Sequence, residues 1–165
     1  MAKLRVHNLS ISLDGYVAGP DQSLDDPLGV GGERLHEWIV ATRAFLQSHG
    51  TGEGGEEGLD DDYAARGDVG IGATIMGRNM FGPVRGPWAG PEWTGWWGDD
   101  PPFHHPVFVL THHPRPSIMM RGGTTFHFVD DGIEAALARA SEAASGEDVR
   151  LGGGAGTASS TSALA

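Results

Sequence analysis

Four strand-like runs, each stopping at a glycine, proline or polar cluster, constrain this chain more than any other feature. They are Val69–Met76 before Gly77-Arg78-Asn79, Pro106–Thr111 before His112-His113-Pro114, Thr124–Val129 before Asp130-Asp131, and Asp148–Leu151 before Gly152-Gly153-Gly154. Such runs, bounded by turn residues, read as strands. An earlier segment, Leu4–Ser12, alternates apolar Leu4 and Val6 with polar Arg5 and His7 and predicts a further strand ahead of the Asp14-Gly15 turn. Between the strands lie helical patterns. Leu35, Trp38, Ile39, Phe45 and Leu46 predict an amphipathic helix over 33–47, and Asp62–Arg66 fits a short one. Ile133, Ala136, Leu137 and Ala140 predict another, with Asp130 or Asp131 as its cap and Gly146 closing it. Strands alternating with helices predict an α/β sheet.

The remaining composition narrows the class. A length of 165 residues suits one domain, and the 27 glycines and 10 prolines must sit in turns, loops and close backbone contacts. With 22 acids against 11 Lys and Arg, the formal charge of −11 opposes sequence-independent nucleic-acid binding, so no nucleic-acid partner is expected. The absence of cysteine excludes disulfides, a thiolate nucleophile and Cys-based zinc sites. No apolar run approaches the roughly 20 residues of a membrane-spanning helix, and the first residues lack a signal-type apolar stretch. A cytoplasmic protein without a membrane partner is the expectation.

Several clusters carry chemistry on their residue types alone. Gly77-Arg78 and Gly152-Gly153-Gly154 end strands, where glycine lets a phosphate approach backbone N–H groups that a Cβ would block; each also fits a plain tight turn. The acids of 51–62 are interleaved with glycine and predict a solvated loop; their spacing lacks the ligand alternation of an EF-hand. His104-His105 and His112-His113 lack a carboxylate at helical spacing, so loop histidines or phosphate contacts are expected there and no metal. Trp88, Trp93, Trp96 and Trp97 sit in an irregular stretch over 81–105 and serve either as a hydrophobic lid or as a stacking surface for a flat ring, with Trp96 and Trp97 the candidate substrate wall. Asp14 is the acid nearest the first strand: a catalytic candidate, or half of a turn-forming Asp-Gly pair.

Taken in order, Ile75-Met76-Gly77-Arg78-Asn79-Met80-Phe81, Val107–Thr111, Thr125–Phe128 and Val149-Arg150-Leu151-Gly152-Gly153-Gly154-Ala155 resemble the cofactor-binding segments of dihydrofolate-reductase-like proteins. Ile11–Gly19 and the segment from Gly82 to Trp97 resemble the branch typed by the reductase domain of the riboflavin-pathway deaminase-reductase. The resemblance spans roughly residues 3–157 and rests on the order of five motifs. It implies a three-layer α/β/α domain with a central, mostly parallel sheet that binds NADPH across the strand ends. Gly77, Arg78, Asn79 and Met80 would open a helix at the cofactor phosphates. Gly153, Gly154 and Ala155 would face the pyrophosphate, and Thr111 with His112, His113 and Arg115 the adenosine 2′-phosphate. Ser10, Ile11 and Ala18 would meet the nicotinamide carboxamide.

The resemblance further implies a reductase that passes a hydride to a pyrimidine, pterin or related heterocycle, with the riboflavin-pathway reduction of a ribosylaminopyrimidine phosphate as its family activity and a homodimer as one arrangement. No additional basic cluster for a substrate phosphate is visible in the sequence. After residue 157 the chain departs from the pattern: 158–165 reads as a low-complexity tail where relatives continue into a helix and a terminal hairpin, so that hairpin is expected to be missing. A nucleotide-binding remnant without activity and a flavin-binding reductase are the alternatives.

Overall fold

The computed structural model describes residues 2–50, 53–82, 85–88, 90, 92–154 and 156–157. Ala155 and the tail over 158–165 lie outside the described residues. Six strands form one sheet: β1 (Leu4–Val6), β2 (Ile71–Gly77), β3 (Pro106–Leu110), β4 (Ile118–Met119), β5 (Thr125–Val129) and β6 (Asp148–Gly152). Their spatial order is β1-β6-β2-β3-β5-β4. All neighbours are parallel except β4, which runs antiparallel to β5. The α/β class expected from alternating strands and helices is therefore present, and the sheet is mostly parallel, as the resemblance implied.

Side-chain alternation splits the core into two faces. Ala73, Ile75, Phe108, Val129, Val149 and Leu151 point to one face, where they pack on Ala136, Ala140 and Ala144 of the helix α5 (Ile133–Ala143) and its end. Small residues on α5 let helix and sheet approach closely. Met76, Val107, Val109, Phe126 and Phe128 point to the other face. There Phe81, at the end of the one-turn helix α4 (Arg78–Phe81), meets Phe126 and Phe128 edge-on at 5.0 and 5.2 Å. Phe103, Trp88, Trp93 and Trp97 complete this aromatic layer.

Four departures from the sequence pattern have physical causes. β1 stops at Val6 because Asn8 takes a left-handed conformation (φ 56°) and its side-chain amide donates to the Ala64 carbonyl (3.3 Å). The helix expected over 33–47 is broken into a 3-10 turn over Gly32–Leu35 and the helices α1 (Glu37–Val40) and α2 (Arg43–Ser48). Thr42 makes the break: its backbone is extended, its hydroxyl donates to the Ile39 carbonyl (2.7 Å) and accepts from Phe45 N (3.2 Å), and it pairs with Glu56. Periodicity survives such a break, so the pattern alone does not show it.

The acid run also departs from a solvated loop. Asp60, Asp61 and Asp62 form the first turn of α3 (Leu59–Arg66), where carboxylates oppose the helix dipole favourably. Asp61 is 8% exposed and accepts from Ala44 N at 2.7 Å, with Arg43 3.6 Å away. The expected Asp130 or Asp131 cap of α5 is replaced by Gly132, while Asp131 pairs with Arg139 at 2.5 Å. α1, α2 and α3 pack together and join the sheet through His7 stacked on Tyr63 (4.3 Å) and an ion pair between Asp68 and Arg150.

Candidate functional site

Parallel pairing brings the carboxyl ends of β6, β2, β3 and β5 to one side of the sheet, the side on which open α/β sheets bind ligands. Gly77, at the end of β2, and Gly153, just past β6, are backbone neighbours there: a Cβ on Gly153 would stand 3.2 Å from Gly77 N, and Gly153 has φ +100°. The positive φ favours glycine at 153, and the close approach leaves little room for a Cβ. A Cβ on Gly77 would meet the Thr157 hydroxyl at 2.7 Å, and one on Gly154 would meet Val17 at 3.7 Å. Residues separated by 76 positions in the sequence thus form one floor, with the 10–20 segment along its edge.

Arg78 leaves this floor in a direction set by α4. One of its terminal nitrogens donates to the Gly86 carbonyl (3.0 Å), and its guanidinium lies 3.3 Å from the centre of the Trp88 ring. Its Nε and other terminal nitrogen are buried with no hydrogen-bond partner among the described residues. Arg115 approaches the same indole at 5.1 Å and donates to the Trp93 carbonyl (3.1 Å). Burial lowers the pKa of both arginines; the charge of Arg115 lowers Arg78 further, and Glu92 opposes the shift at Arg115. Two cations over one ring, one with unpaired donors, is an arrangement that an anion would relieve. A cleft of about 290 Å³ opens beside them, walled by Leu24, Trp88, Trp93 and Glu92.

Other candidates already have occupations. Thr111 is buried, and its hydroxyl accepts from His113 N at 3.0 Å within its own turn. The His113 carbonyl accepts from the Trp88 indole (2.5 Å), while His112 is exposed. Ser10 accepts from Trp38 Nε1 at 2.8 Å. Asp14 accepts the Ser12 hydroxyl at 2.6 Å in a turn closed by Gly15 N to Ser12 O (2.9 Å), which is the turn-forming alternative weighed for this Asp-Gly pair. Ile11 is half exposed beside it. Asn79 donates to Gln22 at 2.8 Å and so ties the 19–32 loop to α4.

A second cleft, of about 1010 Å³, lies along that loop. Asp14, Ala18 and Asn79 line it, together with Arg34 and Arg85. Trp96 and Trp97 line neither cleft. Trp97 packs on Phe103 (4.9 Å) and Phe126 (5.9 Å), and Trp96 donates to the Met80 carbonyl and sits edge-on to Trp93 (4.6 Å). Trp88 and Trp93 hold the wall position instead. No sequence signal separates these four indoles, because which of them faces a cleft depends on where the 81–105 segment crosses the sheet.

Among the described residues no three His, Asp or Glu side chains gather as a metal set, and no helix is long and apolar enough to cross a membrane. No family model and no curated protein matches the sequence.

Proposed function

We propose that this chain is an NADPH-dependent reductase of the dihydrofolate-reductase-like type, passing a hydride to a pyrimidine, pterin or related heterocycle. The observation that carries the reading is the junction of Gly77 and Gly153 at the carboxyl side of a parallel sheet, beside Arg78 with two buried, unpaired guanidinium nitrogens. These features suit a dinucleotide phosphate: glycine backbone that admits it and charge-assisted donors without another partner. When bound, the dinucleotide supplies the hydride.

The chain's own residues then have positioning roles. Gly77 and Gly153 keep the ends of β2 and β6 in close backbone contact, Arg78 and Arg115 would oppose the anionic charge of a diphosphate beside them, and Val17 and Ala18 line the neighbouring cleft. Asp14 is at the large cleft and orients a ring or relays a proton through water once the Ser12 contact opens. That contact, as it stands, favours a second reading, a nucleotide-binding protein without turnover.

A melting titration with NADPH and with NADH tests the proposal, because a ligand that binds only the folded state raises the midpoint by mass action. Stabilisation by NADPH above that by NADH, lost on Arg78→Gln, is expected. No shift with either dinucleotide, in a cooperatively folded sample, overturns it. Oxidation of NADPH on adding a panel of amino-oxo pyrimidines and pterins separates the reductase from the second reading.

A further inference from the structure

The two donors that make Arg78 a candidate for an anion are the two that solvent does not reach. Its Nε and one terminal nitrogen are buried without a hydrogen-bond partner among the described residues, while the other terminal nitrogen donates to the Gly86 carbonyl (3.0 Å). Over the guanidinium lies the Trp88 indole, the centre of its ring 3.3 Å from the guanidinium carbon, a spacing that admits no atom between them. The indole is itself held: its Nε1 donates to the His113 carbonyl at 2.5 Å, and Phe81 and Phe128 meet it edge-on at 5.7 and 5.3 Å. No ligand oxygen reaches the buried nitrogens while these groups stay where they are. The arrangement is balanced, because stacking and apolar packing favour it while two buried donors without acceptors oppose it. Charge-assisted bonds to a phosphate would repay those donors, but only in exchange for the stacking. The 290 Å³ cleft counts both Arg78 and Trp88 in its lining, so there is space beside the contact into which the ring can move.

We propose that Trp88 is a built-in cover over Arg78, its indole closing the guanidinium and giving way when a phosphorylated ligand takes the two unpaired nitrogens. This rests on the reading of Arg78 as a dinucleotide phosphate contact and adds a closed state to it. The apparent affinity is then lower than that of the open site by the fraction of molecules in which the indole is displaced. The latch is the turn after β3: the His113 carbonyl holds the indole, and His113 N is in turn held by the Thr111 hydroxyl at 3.0 Å.

The test uses inorganic pyrophosphate and NADP+ as probes in isothermal titration of wild type, Trp88→Leu and the double variant Trp88→Leu/Arg78→Gln. Trp88→Leu is expected to bind both probes about tenfold or more tighter than wild type, and the double variant to lose that gain. Equal or weaker binding by a cooperatively melting Trp88→Leu protein overturns the proposal, since the indole would then belong to the wall of the site and not to its cover. Wild-type protein labelled with 5-fluorotryptophan gives a second readout that does not depend on the stability of the leucine variant. The fluorine resonance absent from Trp88→Phe should move saturably with either probe; a resonance that stays in place while the ligand binds overturns the proposal. A gain with pyrophosphate, but no NADP+ binding to any of the proteins, removes the dinucleotide reading and leaves the cover over an anion site. NADP+ binding equal in wild type and Trp88→Leu removes the cover and leaves the reading. Failure of both probes to bind wild type and Trp88→Leu overturns both.

Discussion

Replacing His105 with Asn should flatten part of the acid limb of the stability profile. His105 is half-buried beside Phe103 (6.2 Å), and its Nε2 is hydrogen-bonded to the Thr74 hydroxyl at 2.8 Å. Burial lowers its pKa from 6.5 to about 4; the Arg150 cation and His104 push the same way, and Asp68 opposes them. The folded protein therefore keeps this ring neutral, while the unfolded chain protonates it near its ordinary value. Stability from this group is fully present above pH 6.5 and drains away as pH falls toward 4. Between pH 7.5 and pH 5, unscreened linkage amounts to about 2 kcal/mol, and water on the exposed flank of the ring reduces it to about 1 kcal/mol. Urea unfolding at the two pH values measures it directly. Burial lowers His36 and His127 as well, but both remain in the variant and cancel in the difference. Parallel profiles for wild type and His105→Asn would refute the reasoning.

Three further outcomes follow from the same contacts. Gly153→Ala places a Cβ 3.2 Å from Gly77 N at φ +100°, so it should lower stability by about 1–3 kcal/mol and abolish the NADP+-induced rise in melting point; an unchanged midpoint in both states contradicts the glycine floor. Arg78→Gln should leave urea stability within about 1 kcal/mol, since a buried cation with two unpaired nitrogens leaves together with its indole stacking, while isothermal titration shows NADP+ binding weakened at least about tenfold. Asp61→Ala strands the Ala44 N–H and should cost about 1–3 kcal/mol in urea unfolding, with Asp61→Asn recovering part of the loss.

Much of the sheet was legible because its signal is local. β2, β3 and β5 show as largely apolar runs and β6 as a short alternating one, and successive residues such as Ile75 and Met76 divide between the two faces as strand geometry demands. α5 was legible for the same reason, its small residues recurring at three and four. The glycine junction was legible in part: Gly77 and Gly153 each suggested a phosphate approach, but only parallel pairing of β2 with β6 makes them neighbours. What stayed hidden depends on partners far along the chain. Thr42 breaks a helix whose periodicity is intact because Glu56 pairs with it, and Asp61 leaves solvent because Ala44 needs an acceptor. The choice of Trp88 and Trp93 over Trp96 and Trp97 as cleft walls, and the presence of Arg34 and Arg85 on one cleft, are set by how long loops cross the sheet.

The layer formed by α1, α2 and α3 is stitched to itself by Thr42, Asp61 and Arg43 and to the sheet by a few contacts at His7, Asn8 and Asp68. Such a layer should open as a cooperative unit of its own, and hydrogen exchange is expected to show its amides exchanging with solvent at lower free energy than those of β2 and β3. Trp38 of α1 holds Ser10 by a hydrogen bond, so each opening also releases the segment that walls the large cleft. Entry to that cleft would thereby be coupled to the opening of α1–α3, and a ligand that bridges the 10–20 segment and Arg34 would slow exchange throughout α1–α3 without touching most of it.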